Sequence, residues 1–253
     1  MKSDDLVHVT VADGVAILQM DDPEHRNALS ARMSNDLADG VERALREEAG
    51  AIVLTAVPPV FCAGGSLDGL LARTSLDEVY RGFLALAAAP VPTIAAVGGD
   101  AIGAGVNLPL ACDVVLTSPV ARFDPRFLDV GIHPGGGHLW RLRQRIGSQG
   151  AAALVLCGDV LTGEEAVAAG LAWRCVEEPG LEAAATALGR RAADRPRALV
   201  ARTKATLRLS ERMLEPGEAF TVELEAQRWS MDQPEFADRV RSIRAKIGRR
   251  AQS

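Results

Sequence analysis

The run Ala51-Ile52-Val53-Leu54-Thr55-Ala56-Val57 decides the architecture. It is too short for a stable helix and lacks polar/apolar alternation, which is how a strand covered on both faces reads. Such strands belong to parallel sheets whose crossovers are helices, and the flanking sequence fits that rule. Upstream, residues 7–11 and 15–20 flank Asp13-Gly14, a two-residue hairpin turn, so the chain opens with an antiparallel pair. Ser30 stands where an N-cap is needed, ahead of Met33, Leu37, Val41 and Leu45, whose spacing lays an apolar stripe along a helix ending by Gly50. Downstream the pattern recurs: a helix over 75–88, an apolar run over 92–97, a Gly/Ala-rich turn, a short helix and a strand over 113–117. This alternation predicts an α/β body. Beyond Gly150 only 172–176 reads as strand, with helices expected near 163–169, 181–191 and 196–212. Two last helices, about 216–231 and 234–247, lie outside the βα pattern and read as a helical lobe. The expected division is a core over 1–195 and a C-terminal helical region over 196–253.

Composition excludes several functions. At 253 residues with 48% apolar side chains, one large core is affordable and disorder is not the main state. Lys and Arg number 28 against 33 Asp and Glu, a net charge of −5, so no basic field exists to hold a nucleic acid. Aromatics are 4%, with Tyr80 the single tyrosine, which argues against a base-stacking or sugar-binding platform. Cys62, Cys112, Cys157 and Cys175 lie far apart with no CxxC pair, and are expected as buried thiols in a reducing compartment. Residues 1–10 hold no apolar leader segment and no stretch approaches the roughly 18 apolar residues of a spanning helix. A cytoplasmic protein without a membrane partner is expected.

Three glycine-rich segments could carry chemistry. Phe61-Cys62-Ala63-Gly64-Gly65-Ser66 follows the buried strand, and its adjacent glycines allow N–H groups to point outward at an oxyanion. Read alone, it also serves as a tight strand-to-helix connection. Its likeness to a GxSxG nucleophile elbow fails because the fifth position is Asp68. Gly98-Gly99-Asp100-Ala101-Ile102-Gly103-Ala104-Gly105 opens a second short helix and offers a second donor, but lacks the GxGxxG spacing of a dinucleotide site and the Gly-Lys-Ser/Thr of a phosphate loop. Gly131-Ile132-His133-Pro134-Gly135-Gly136-Gly137-His138 sets two histidines beside a glycine run. Only Asp124 and Asp129 stand nearby, too few ligands for zinc, so no metal is expected and His133 is the candidate acid or base.

Together these segments resemble the crotonase, or enoyl-CoA hydratase/isomerase, superfamily. The resemblance runs through Asp22-Pro23-Glu24 to Arg26-Asn27-Ala28-Leu29, residues 61–64, residues 101–105 to Cys112-Asp113, residues 131–137, and Leu161-Thr162-Gly163-Glu164-Glu165-Ala166 to Gly170-Leu171. It implies a spiral of ββα units with a C-terminal helical lobe, assembled as a trimer or dimer of trimers. It also implies an acyl-CoA thioester ligand, no cofactor beyond the coenzyme A of that substrate, and an enolate held by two main-chain N–H groups. Those donors map to Gly65 and Ala104. Arg26, Ala28, Ser66 and Leu67 would lie along the CoA path, and Ala63, Asp68 and Phe127 complete the expected substrate-binding set.

The departures from the family pattern are specific. Hydratases of this family use two glutamates, and the matching positions hold Asn107 and Phe127. Asn107 can orient a water without accepting its proton; Phe127 can do neither. Where other subfamilies place an aspartate, this chain has Gly135. The replacement bases in order are His133, Asp129 and Asp68. Two other readings stay open: an acyl-CoA-binding protein without turnover, and a thioester hydrolase using Ser66 and His133.

Overall fold

A computed structural model describes residues 5–250. Its strands are β1 (Val7–Ala12), β2 (Val15–Met20), β3 (Ala51–Ala56), β4 (Thr93–Val97), β5 (Ala101–Ile102), β6 (Val114–Thr117), β7 (Arg122–Asp124), β8 (Leu161–Thr162) and β9 (Arg174–Cys175). One sheet has the order β1-β2-β3-β4-β6-β9, antiparallel at β1/β2 and parallel thereafter. The hairpin turns on Asp13 and Gly14, both at positive φ, as a tight two-residue turn requires. A second, small sheet has the order β5-β7-β8 and had no counterpart in the sequence reading.

The run from Ala51 is buried through Thr55, and its side chains divide between two cores. Ile52 and Leu54 join Leu18 and Ala95 beneath α1 (Ala31–Arg46), which contributes Met33, Leu37 and Val41. The Ser30 hydroxyl accepts from the Met33 N–H and caps that helix, as expected. Next come α2 (Leu67–Leu71), α3 (Leu76–Ala88), α4 (Asn107–Ala111), α5 (His138–Leu156), α6 (Gly163–Ala168) and α7 (Leu181–Ala193). On the opposite face of the sheet, Val53, Ile94, Ala96 and Leu116 meet Leu181 and Ala185 of α7. Burial on both faces is why the run shows no alternation.

The chain divides into two compact units at Asp194/Arg195. The second holds α8 (Arg197–Ser210), α9 (Pro216–Met231) and α10 (Glu235–Arg250), with the Arg202 guanidinium 4.7 Å from the Trp229 ring centroid. Two expectations are corrected. Residues 138–156 form a helix that the sequence reading left without an element, broken at Gly147 (φ 71, ψ 175). Of the four cysteines, Cys62 and Cys112 are buried, but Cys157 is exposed at the end of α5 and Cys175 is half-buried within the edge strand β9. Among the described residues no helix is long and apolar enough to cross a membrane.

Candidate active site

Two loops leaving the ends of β3 and β4 are stitched together. The Cys62 N–H donates to Asp100 O at 3.0 Å and the Ile102 N–H to Cys62 O at 2.9 Å. Glycine is needed at the contact: a Cβ on Gly105 would lie 2.4 Å from Cys62 O, and one on Gly64, at φ +93°, would lie 2.6 Å from Ile102 O and 3.4 Å from the Ala104 nitrogen. On the other side, the Ala63 N–H donates to Arg26 O (3.0 Å), the Leu29 N–H to Gly64 O (2.7 Å) and the Ser66 N–H to Leu29 O (3.2 Å). Residues 63–66 are thus held from both flanks. Within that lattice the Gly65 and Ala104 N–H groups donate to no protein acceptor among the described residues. Ala104 lies in the first turn of the short 3-10 turn Gly103–Val106, where N–H groups have no partner inside the turn. Gly65 also lines an apolar cavity of about 230 Å³ with Leu29, Ser66, Leu70, Leu76 and Val79. A larger cavity, about 460 Å³ and lined by Pro59, Gly99, Glu178 and Glu182 among others, includes neither donor. Burial pushes the Cys62 thiol up to about 12, so the cysteine in this loop is not a nucleophile.

Asn107 opens α4, three residues after Ala104, and is fully buried. Its Nδ2 donates to Gly135 O at 3.3 Å, which turns Oδ1 toward His138 Nδ1 at 2.9 Å. That network places the imidazole proton on Nδ1 and leaves the Nε2 lone pair bare. Nε2 of His138 is the one buried side-chain nitrogen or oxygen without a hydrogen-bond partner among the described residues. Such an orphan costs about 1–3 kcal/mol, so it calls for a reason. Burial pushes His138 down to about 4, which keeps the ring neutral through the physiological range. Phe127, also buried, meets the imidazole edge-on with centroids 4.9 Å apart. Beside this group the Tyr80 hydroxyl fills the space at Gly135, 2.1 Å from where a Cβ would stand.

A family model described as enoyl-CoA hydratase/isomerase matches residues 10–239. The chain belongs to the enoyl-CoA hydratase/isomerase family. A Mycobacterium tuberculosis protein named probable enoyl-CoA hydratase EchA14 is 40% identical to it over 248 residues, covering 93% of this chain and 96% of that protein. A solved enoyl-CoA hydratase from Mycobacterium smegmatis matches at TM-score 0.88 and 26% identity, over 96% of this chain and 97% of that one. A Thermobifida fusca protein named for enoyl-CoA hydratase and solved in complex with CoA matches at TM-score 0.81 and 28% identity, over 89% and 93%. The fold is the crotonase fold of these enzymes.

Within this enoyl-CoA hydratase/isomerase family member, the expected site residues divide into two groups. Arg26 and Ala63 are joined by a backbone bond, Ala28 and Gly65 are the chain neighbours of the bonded Leu29 and Gly64, and the Ala104 nitrogen lies against Gly64; Arg26 is exposed, with its backbone at φ 55. Asn107 and Phe127 also converge, through His138. The preferred bases do not join them. His133 is exposed with Nδ1 2.8 Å from Pro134 O, and Asp129 is exposed in the 3-10 turn Leu128–Val130. The Ser66 hydroxyl accepts from the Gly69 N–H at 3.3 Å as the N-cap of α2, with Leu67 and Asp68 exposed in its first turn. Ser66 and His133 share no hydrogen bond, so the nucleophile and base of a hydrolase are not assembled. Asn107, expected to orient a water, has both ends of its amide engaged by protein. The residue the sequence reading passed over is His138. Its signal was position, since it is the first residue of a helix and not part of the glycine turn that precedes it.

Proposed function

We propose that this protein is an acyl-CoA enzyme that stabilises a thioester enolate between the N–H groups of Gly65 and Ala104. The reading is carried by one observation: two main-chain N–H groups without protein acceptors, held in register by stitched loops, one of them lining an apolar cavity. Preorganised donors aimed at a developing oxyanion lower a barrier by about 3–4 kcal/mol each. Family membership and the CoA complex of the Thermobifida fusca relative support a CoA thioester as the ligand. CoA enters as part of the substrate, along the segment that holds Arg26 and Ala28. Phe127 in place of an acid makes a drier wall, which favours an apolar acyl group over a polar one.

The second reading, acyl-CoA binding without turnover, is favoured by the engaged amide of Asn107. Calorimetry with a saturated acyl-CoA and with free CoA, beside absorbance assays on trans-2- and trans-3-enoyl-CoA, separates the two. The expected result is tighter binding of acyl-CoA than of CoA, with turnover of an enoyl-CoA. Only proline deletes a main-chain donor, so Ala104→Pro is expected to lower kcat by about 100- to 1000-fold. Equal binding of acyl-CoA and CoA would remove the acyl-site assignment, and binding without turnover would leave the second reading.

A further inference from the structure

Side chains two residues apart on a strand share a face, so Thr55 follows Val53, and Ala96 follows Ile94, on the side of the sheet that α7 covers. Gln19 pairs with Thr55 in the β2/β3 register and shares that face. At Leu181, the first residue of α7, these three residues line the larger cavity, about 460 Å³. Valine and isoleucine under the helix give way here to threonine and alanine, and Ala96 with Gly98 leaves the space open. Thr55 is 8% exposed, and its hydroxyl has no hydrogen bond among the described residues. Unlike His138 Nε2, that hydroxyl is not sealed by protein but opens on the cavity. At the rim stand Glu178 and Glu182, both exposed, neither with a hydrogen bond or ion pair among the described residues. The Glu178 carboxylate lies over Gly98, where a Cβ would come within 2.7 Å of Oε1.

We propose that this cavity is a second ligand site, and that it takes a small organic cation: a protonated amine with an apolar stem and a hydrogen-bonding end. The ammonium sits at the rim with Glu178 and Glu182, the stem lies against Pro59, Val60 and Leu181, and the polar end meets the Thr55 hydroxyl beside Gln19. The volume falls in the range of small-molecule sites, about 300–1,000 Å³, which are apolar cavities with a few placed polar groups. Two unpaired carboxylates turn away an anion, and Glu182 already complements the positive end of α7 from its first turn. A metal ion fits poorly, because among the described residues no three His, Cys, Asp or Glu side chains stand together to hold one. A wholly apolar ligand would shut the Thr55 hydroxyl away from water without a partner, a cost that a ligand with a polar end avoids. Neither Gly65 nor Ala104 lines this cavity, so the amine does not compete for the donors and the proposal stands apart from the enolate reading.

The test uses the full chain at neutral pH with four probes of one length: 6-aminohexan-1-ol, n-hexylamine, hexan-1-ol and hexanoate. Binding is read by calorimetry and by ligand-observed NMR. The amino alcohol is expected to bind with a millimolar or tighter dissociation constant, and hexan-1-ol and hexanoate at least about tenfold more weakly. Glu178→Gln combined with Glu182→Gln keeps the shape of both side chains and is expected to weaken both amines about five- to tenfold, the weight of two surface ion pairs. Thr55→Val keeps the volume and removes the hydroxyl; it is expected to weaken the amino alcohol about three- to tenfold and to leave n-hexylamine unchanged, which also shows that the variant folds. A saturating acyl-CoA is expected to leave amine binding as it is. Failure of both amines to bind in the millimolar range overturns the proposal, as does hexan-1-ol binding as well as the amines. Amine binding that ignores the glutamine substitutions removes the cation assignment, and displacement of the amine by acyl-CoA removes the second site.

Discussion

At the residue scale, His138 is a buried histidine kept neutral by its surroundings. Unfolded, His138 titrates near 6.5, the ordinary histidine value; folded, burial holds it down to about 4. Above pH 6.5 both states are neutral and stability is fully present. As pH falls from 6.5 toward 4 the unfolded chain binds a proton that the folded chain refuses, and the fold loses up to about 3 kcal/mol. Urea midpoints at pH 7 and pH 5 check this: the midpoint is expected to drop on acidification in wild type, and most of the drop to vanish in His138→Phe. An unchanged drop in the variant would move the effect to another group. The sequence named the glycine run and both histidines, and a neutral-pKa argument chose His133. That argument fails because loop sequence does not report burial. His133 lies on the surface against its own neighbour's carbonyl, whereas His138, five residues on, enters the core as the helix starts.

At the element scale, the parts with strong periodicity or strong caps were legible. The hairpin, α1 with its Ser30 cap, β3 and β4 fall where the apolar pattern puts them, because long buried segments leave a pattern that outlasts local detail. The strands β5 and β8 have two residues each, too few to show any period, and each forms by pairing with β7. Helix α5 escaped notice because Gly147 and Gly150 interrupt its pattern and the chain breaks helical geometry at Gly147. Ser66 shows the same division. From sequence it was a contact residue or a nucleophile; in the fold its hydroxyl caps α2. Ser66→Ala is therefore expected to cost about 0.5–2 kcal/mol of stability, read by denaturant titration, while turnover stays within a few-fold. A loss of 100-fold or more in turnover with stability unchanged would restore a chemical role for the hydroxyl.

At the scale of the whole molecule, the resemblance held because several separate segments appear in the family's order, and a match of that kind survives errors in any one of them. Its untested implication is assembly. Leu128, Val130, Ile132, Leu139 and Trp140 are exposed within one stretch of the first unit, and large exposed apolar patches mark association surfaces. Light scattering on the purified protein is expected to give three or six times the chain mass of 26.7 kDa, and a monomer mass would remove that expectation.

One packing feature also bears on how the molecule is made. The sheet face formed by Val53, Ile94, Ala96 and Leu116 is closed by α7, whose first residue, Leu181, follows the end of β6 at Thr117 by about 60 residues. At about 5–20 residues per second, a ribosome leaves that greasy face without its cover for roughly 3–12 s after the last of those strands has been synthesised. For that interval the nascent chain is a client for any chaperone waiting at the tunnel exit, and a truncated message ending before codon 181 would leave a product whose sheet can find cover only on another chain.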